Sequence, residues 1–262
     1  MSGPLVIARR LCGAGPEALR GEAIHASVIR TRIVLLVLTL FTTSFAHSQT
    51  EPRLKPEQDL ELWTSIALET RPFSLPNRPG EFGFRKKFRT ALELGYRSNE
   101  NLGNGKSFYT NLAFKYRLTK WLRLGMDHRY NMRDRYSSNS YRIDGSMVFQ
   151  GAVKRFEGSY RTIFQHEFIP VYRLREVWRN RFAITWRTKK FPIDPTVSVE
   201  TFTGLWYKGN YYAGIRYDLG AQWDMGKDHT LEVVLRHDRE IGVRSPLYRT
   251  IVSLAYEYYW RR

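Results

Sequence analysis

The sequence predicts an all-β fold, a transmembrane antiparallel β-barrel of about twelve strands, and three observations carry that expectation. Apolar and polar residues alternate along one segment after another from Leu60 to Trp260. Most of these segments are about ten residues long, the length a tilted strand needs to cross a bilayer. Aromatic residues make up 15% of the 262-residue chain although the mean hydropathy is −0.46. A barrel reconciles rings with polarity, because only alternate positions face lipid and aromatics gather at the edges of the apolar band. A soluble β-sandwich with an aromatic core is the alternative for the same alternation.

The first 48 residues stand apart. RTRIVLLVLTLFTTSFAHS (30–48) offers two arginines, an apolar run from Ile33 to Phe41, and Ala46-His47-Ser48, the three parts of a secretory signal. The apolar run is too short to span a bilayer, which takes about twenty residues. Export with cleavage near Ser48 is expected. Residues 1–27 precede the signal and no methionine lies between Met1 and Met126, so initiation at Val28 would explain the extension. The expected organisation is an upstream extension (1–27), a signal peptide (28–48), a periplasmic lead (49–59) and the barrel (60–262).

The net charge of +17 raises nucleic-acid binding, which clustered Lys and Arg would mark. Removal of residues 1–48 leaves 37 basic against 23 acidic residues, still +14. The basic residues are nevertheless spread along the chain and often face an acid two positions on, as Arg142 does Asp144, so no nucleic-acid partner is expected. Cys12 is the only cysteine, and no metal ligands or cofactor motif accompany it.

Taken in order, the strands show which charges share a face. LELWTSIALE (60–69) comes first. FRTALELGYR (88–97) sets Arg89, Glu93 and Arg97 opposite Leu92, Leu94 and Tyr96. FYTNLAFKYRL (108–118) contributes Arg117, and WLRLGMDHRY (121–130) contributes Arg123, Asp127 and Arg129. YRIDGSMVFQ (141–150) presents Arg142 and Asp144, and RFEGSYRTIFQHEF (155–168) presents Arg155, Glu157 and Arg161. In LREVWRNRFAITWR (174–187), Arg179, Arg181 and Arg187 oppose Trp178, Phe182, Ile184 and Trp186; Glu176 interrupts the apolar side. TVSVETF (196–202) adds Glu200, YYAGIRYDLGAQW (211–223) adds Arg216 and Asp218, and TLEVVLRHD (230–238) adds Glu232 and Arg236. The last strand, YRTIVSLAYEYYW (248–260), puts Arg249 and Glu257 against Tyr248, Val252, Leu254, Tyr256, Tyr258 and Trp260.

The charged faces are expected to line the lumen and the apolar faces to meet lipid. Trp178 and Trp186, with Tyr248, Tyr256, Tyr258 and Trp260, are the expected aromatic girdle. The eight residues from Trp178 to Trp186 rise about 20 Å along a strand tilted by roughly 40°. Alternation ending on Trp260 is similar to the terminal signal read by the outer-membrane assembly machinery, with Arg261 and Arg262 following it.

These segments number eleven, whereas bacterial single-chain barrels have even counts. A twelfth strand is expected around Gly83–Phe88, with ten as the alternative. Tight links (118–120, 151–154, 225–229) alternate with wider polar ones (98–107, 131–140, 239–246). With the last strand running toward the periplasm, all the wide links would lie outside.

WTSIALE (63–69), YRLTKWLRLGMDHRYN (116–131), FEGSYRTIFQHEF (156–168), REVWRNRFAITWR (175–187) and VVLRHDRE (233–240) together resemble an exported bacterial family catalogued as domain of unknown function 2490. The resemblance covers roughly Leu60 to Trp260. It implies an outer-membrane-type barrel and assigns no activity or catalytic residues.

No catalytic constellation accompanies these motifs. His128 and His237 share the lipid face while Asp127 and Asp238 point inward, so neither forms a dyad with its neighbour. His229 falls in a tight turn, and His166, beside Glu167, lies near the rim. The functional expectation is a narrow pore or binding barrel for small polar, anionic solutes in the outer membrane of a Gram-negative bacterium. The alternatives are a closed structural or surface-interaction barrel contacting lipopolysaccharide or a partner, and a rim hydrolase acting through His166.

Overall fold

The computed structural model describes residues 55–73, 87–133, 138–169, 173–188, 192–205 and 209–260. The expected extension, the signal peptide and most of the lead lie outside these residues. Among them eleven strands form one closed barrel: β1 (Glu57–Thr70), β2 (Phe88–Asn99), β3 (Asn104–Arg117), β4 (Leu122–Arg133), β5 (Ser140–Val153), β6 (Phe156–Ile169), β7 (Arg173–Trp186), β8 (Ile193–Leu205), β9 (Tyr211–Asp224), β10 (His229–Glu240) and β11 (Leu247–Trp260).

Each strand pairs antiparallel with its neighbour in sequence, and the barrel closes where β1 meets β11 in parallel. Parity dictates this seam. In a meander of alternating direction the first and eleventh strands run the same way, so they can only join in parallel. Their register runs unbroken from Glu57 opposite Leu247 to Thr70 opposite Trp260. The eleven strands fall within the ten to twelve expected from the sequence, the count being odd rather than even. Phe88 opens β2, and the rest of the expected twelfth strand lies outside the described residues.

Two further expectations change. Glu57 to Asp59 belong to β1 rather than to the lead. The sorting of loops by width also disappears. At the first end, where β1 and β11 begin, the links are 100–103, 134–139, 170–172, 206–210 and 241–246; at the second end they are 71–87, 118–121, 154–155, 187–192 and 225–228. Polar stretches such as Asn104 to Ser107 had the composition of loops, but they pair as strand because a ladder can extend beyond the apolar band.

The faces separate as alternation requires. Outside, Ile66, Leu94 and Leu219 are 64%, 55% and 59% exposed. Inside, Glu61, Glu200, Asp218 and Ile251 are buried. Outward rings gather at both ends of the wall. Tyr96 packs on Phe108 and Tyr130 on Tyr141 toward the first end, whereas Phe156 stacks on Trp186 and Trp121 on Phe149 toward the second.

The ladder is interrupted twice, by register shifts at Arg97/Ser98 in β2 and at Phe202/Thr203 in β8. At the first shift Leu62 N–H donates to Ser98 Oγ at 2.8 Å, so a side chain satisfies the neighbouring strand's backbone.

The parallel closure can be checked chemically. Ser65 faces Ala255 across the seam, so a Ser65→Cys/Ala255→Cys variant is expected to form an intramolecular disulfide on mild oxidation, the neighbouring backbones standing about 5 Å apart. Intact-mass measurement after alkylation reads the outcome, and alkylation of both introduced thiols in the folded protein would rule the seam out.

Candidate functional site

Removing a charge from bulk water is costly unless an opposite charge meets it, and the lumen is organised around that requirement. Glu200 accepts from Arg179 Nε at 3.1 Å and lies 3.4 Å from Arg216 Nη1. Arg216 gives a second edge to Asp238, with Nε and Nη2 at 2.5 and 2.7 Å from the two carboxylate oxygens. This is the two-pronged geometry for which a guanidinium is shaped. Arg181 pairs with Asp218 at 3.1 Å and donates to Ser198 Oγ at 3.0 Å. Register explains the order: Arg181 faces Glu200, Glu200 faces Arg216, and Arg216 faces Asp238, which faces Arg249. Charge thus alternates in sign around the wall from β7 to β11.

Both ends carry smaller clusters. At the second end Glu69 binds Arg89 and Lys115, each at 2.6 Å, with Arg117 and Arg123 beside them. There too Arg187 bridges Glu157 at 2.9 Å and Asp194 at 2.8 Å. At the first end Glu61 takes Lys106 Nζ at 2.6 Å and the Trp63 N–H at 2.7 Å, Glu167 takes Arg133 at 3.0 Å, and Glu240 takes Arg249 at 2.7 Å.

Between the ends lie two cavities of about 530 and 490 Å³. Both are lined by Trp63, Arg97, Arg142, Phe202 and Arg216, which form a waist between them. The waist is built on cation–π contacts. The Arg97 guanidinium lies 4.1 Å from the Trp63 ring centre and 4.9 Å from that of Tyr109. Arg216 and Arg236 each approach Trp63 at 5.4 Å, Arg129 approaches Tyr109 at 4.2 Å, and Arg179 approaches Phe202 at 5.1 Å. Arg97 and Phe202 each stand at a register shift, a local irregularity that re-aims a side chain. Gly95 makes room for the Tyr109 ring, which occupies the space a Cβ there would need.

Most charges assigned to the lumen from the sequence line these cavities or bind residues that do. Glu93, Asp127, Asp144, Arg161, Glu232 and Glu257 join the arginines around the larger cavity. Asp127 faces Asp144 across β4 and β5, one step from Arg129 facing Arg142, and Arg142 relieves the first pair by binding Asp144 at 2.8 Å. Arg155 is a correction. It sits exposed in the turn between β5 and β6, because alternation counted back from Glu157 continues past the residue where the strand begins. The arginine surplus also narrows, since Glu61, Glu69, Glu167, Asp194 and Glu240 all take part in lumenal or rim ion pairs.

Trp63, Tyr109 and Phe202 are absent from the expected site. Parity was the available signal, for Trp63 shares its face with Glu61 and Glu69, Tyr109 with Asn111 and Lys115, and Phe202 with Glu200. Of the expected girdle, Trp178, Trp186, Tyr258 and Trp260 are exposed, whereas Tyr248 and Tyr256 are half-buried against His237 and His229. His166 approaches Glu176 at 3.4 Å across the outer face of β6 and β7 while Glu167 points inward to Arg133. His229 opens β10 and bonds Tyr256 Oη at 2.6 Å through Nδ1.

Glu200 is the acid with most to lose. Glu200→Gln is expected to destabilise the barrel by about 3 kcal/mol, the low end for breaking a buried pair, because Asp238 still holds Arg216. Urea unfolding followed by tryptophan fluorescence reads this, and an unchanged midpoint would mean that the carboxylate is not charged in place.

No curated protein and no solved structure matches the chain. A family model described as "Protein of unknown function (DUF2490)" matches residues 60–240, from within β1 to the end of β10. The chain belongs to that family.

Proposed function

We propose that the protein is an outer-membrane barrel whose lumen binds small anionic solutes and passes them through the waist at Trp63. The observation that carries this reading is the pair of charge-lined cavities, about 530 and 490 Å³, meeting at one set of arginines and rings. A wall apolar outside and charged inside suits a bilayer around it and water within it. Exposed Trp178, Trp186, Tyr258 and Trp260 suit the polar boundary of lipid, where an amphipathic ring is most stable. The signal-like segment 30–48 supports export, and the alternation of β11 suits recognition by the outer-membrane assembly machinery. Lipid and lipopolysaccharide are the partners expected on the outer surface.

A second reading draws on the ion pairs themselves. Arg179 and Arg216 are tied to carboxylates on the adjacent strand and Arg181 to one two strands away, which would equally suit a closed barrel serving structure or surface contact.

Single-channel recording in a planar bilayer under a KCl gradient separates the two. Discrete steps with an anion-selective reversal potential are expected, and Trp63→Ala should raise the unit conductance by removing the ring that narrows the waist. A folded, inserted protein that stays electrically silent would overturn passage and favour the closed barrel.

A further inference from the structure

Positive charge is left over at the waist, as it is at Arg161 on the wall of the larger cavity. Among the described residues no carboxylate makes an ion pair with Arg97. Its charged neighbours include the guanidinium groups of Arg129, Arg142 and Arg216, which repel it. Arg129 reaches Glu93 only at 3.7 Å, and Glu93 already accepts from Tyr109 Oη at 2.7 Å. Arg236 reaches Asp218 only at 3.7 Å, and Asp218 is already held by Arg181 and Ser198. The Nε groups of Arg97, Arg129, Arg142 and Arg236 are all buried without a hydrogen-bond partner. Arg129 and Arg142 also face each other across β4 and β5, a like-charge pairing that a sheet disfavours.

Aromatic contacts ease part of this crowding and leave donors of a specific kind. A guanidinium stacked on a ring uses its flat face, so its in-plane N–H edges stay free to donate. Arg97 has rings beside it in Trp63 and Tyr109. The ligand that matches several such edges is an oxyanion carrying more than one charge. A phosphate group offers close to two negative charges near pH 7 and several acceptor oxygens, whereas chloride or a single carboxylate compensates one guanidinium.

We infer that Arg97, with Arg129, Arg142 and Arg236 around it, forms a binding site for a phosphate group, placed where the two cavities meet. The inference rests on the anion-binding reading above and gives it a chemical class. The flanking cavities have room for the remainder of a small phosphorylated solute, and their charged lining disfavours an acyl chain, so the source is a soluble phosphate compound.

Isothermal titration of inorganic phosphate into the full-length purified protein in detergent, with chloride held constant, tests this. Saturable binding at one site per chain is expected. Arg97→Met should weaken it at least about tenfold, the effect of losing a charge-assisted donor. Arg97→Lys, which keeps the charge and loses the fork, should fall between, and covers the case in which the methionine variant does not fold. Arg187→Gln at the rim should bind as the parent does. Folded protein that shows no saturable binding, or binding that Arg97→Met and Arg97→Lys leave unchanged, overturns the site. Conductance on the same preparation keeps the two readings apart. An anion-selective channel indifferent to phosphate overturns the site and leaves passage standing, while a silent barrel that binds phosphate through Arg97 keeps the site and overturns passage.

Discussion

Every ionised side chain inside a closed barrel has to find its counter-charge within the barrel or in whatever enters it, and the architecture of the lumen follows from that constraint. Glu200, Asp218 and Asp238 each sit opposite an arginine on an adjacent strand. Their pairing joins β7 through β10 by side chains as well as by backbone. Buried pairs of this kind add little net stability over apolar packing, because desolvation offsets most of their attraction. They do make one register correct, since a slip of one residue would turn each charge out to the apolar face.

The odd strand count follows from a different constraint, that of direction. Eleven strands in alternation leave β1 and β11 parallel, so the chain enters β1 at the end from which β11 departs. Parallel pairing is slightly weaker per residue than antiparallel pairing. The seam offsets this with length, since its register holds from Glu57 to Thr70 without a shift. Trp63 and Glu61, both inward on β1, are thereby brought beside Ser253 and Ile251 of the last strand. The waist includes a residue of the closing seam, which links completion of the barrel to completion of the site.

How far the barrel was legible in the sequence depended on the property being read. Alternation with period two located all eleven strands, because alternate side chains of a strand must point to opposite sides. The count of eleven falls within the ten to twelve expected, and it is odd because parity of direction permits a parallel seam. Widths of links were misread for a physical reason: polar composition marks water, and strands such as β3 extend past the apolar wall into water at Asn104. The site was harder to see. Trp63 and Phe202 on a charged face look like lapses in a pattern, and only their convergence with Arg97 and Arg216 from other strands gives them a role.

That convergence also explains why arginine rather than lysine fills the waist. A lysine ammonium beside Arg129, Arg142 and Arg216 would have only its compact charge, strongly hydrated, and little reason to leave water. A guanidinium can lie flat on an indole, accept partial compensation from the ring and keep its edge for a ligand. Arg97 meets those conditions between Trp63 and Tyr109, and Gly95 is the residue that lets the second ring lie close. Filling the same lumen with matched ion pairs throughout would have given a tighter plug. Arg179 and Arg216 are matched, whereas Arg97, where the two cavities meet, is not, and Arg161 on the wall of the larger cavity likewise makes no ion pair among the described residues. At Arg97 the deficit falls beside two rings and on the lining of both cavities, where an entering anion would be favoured.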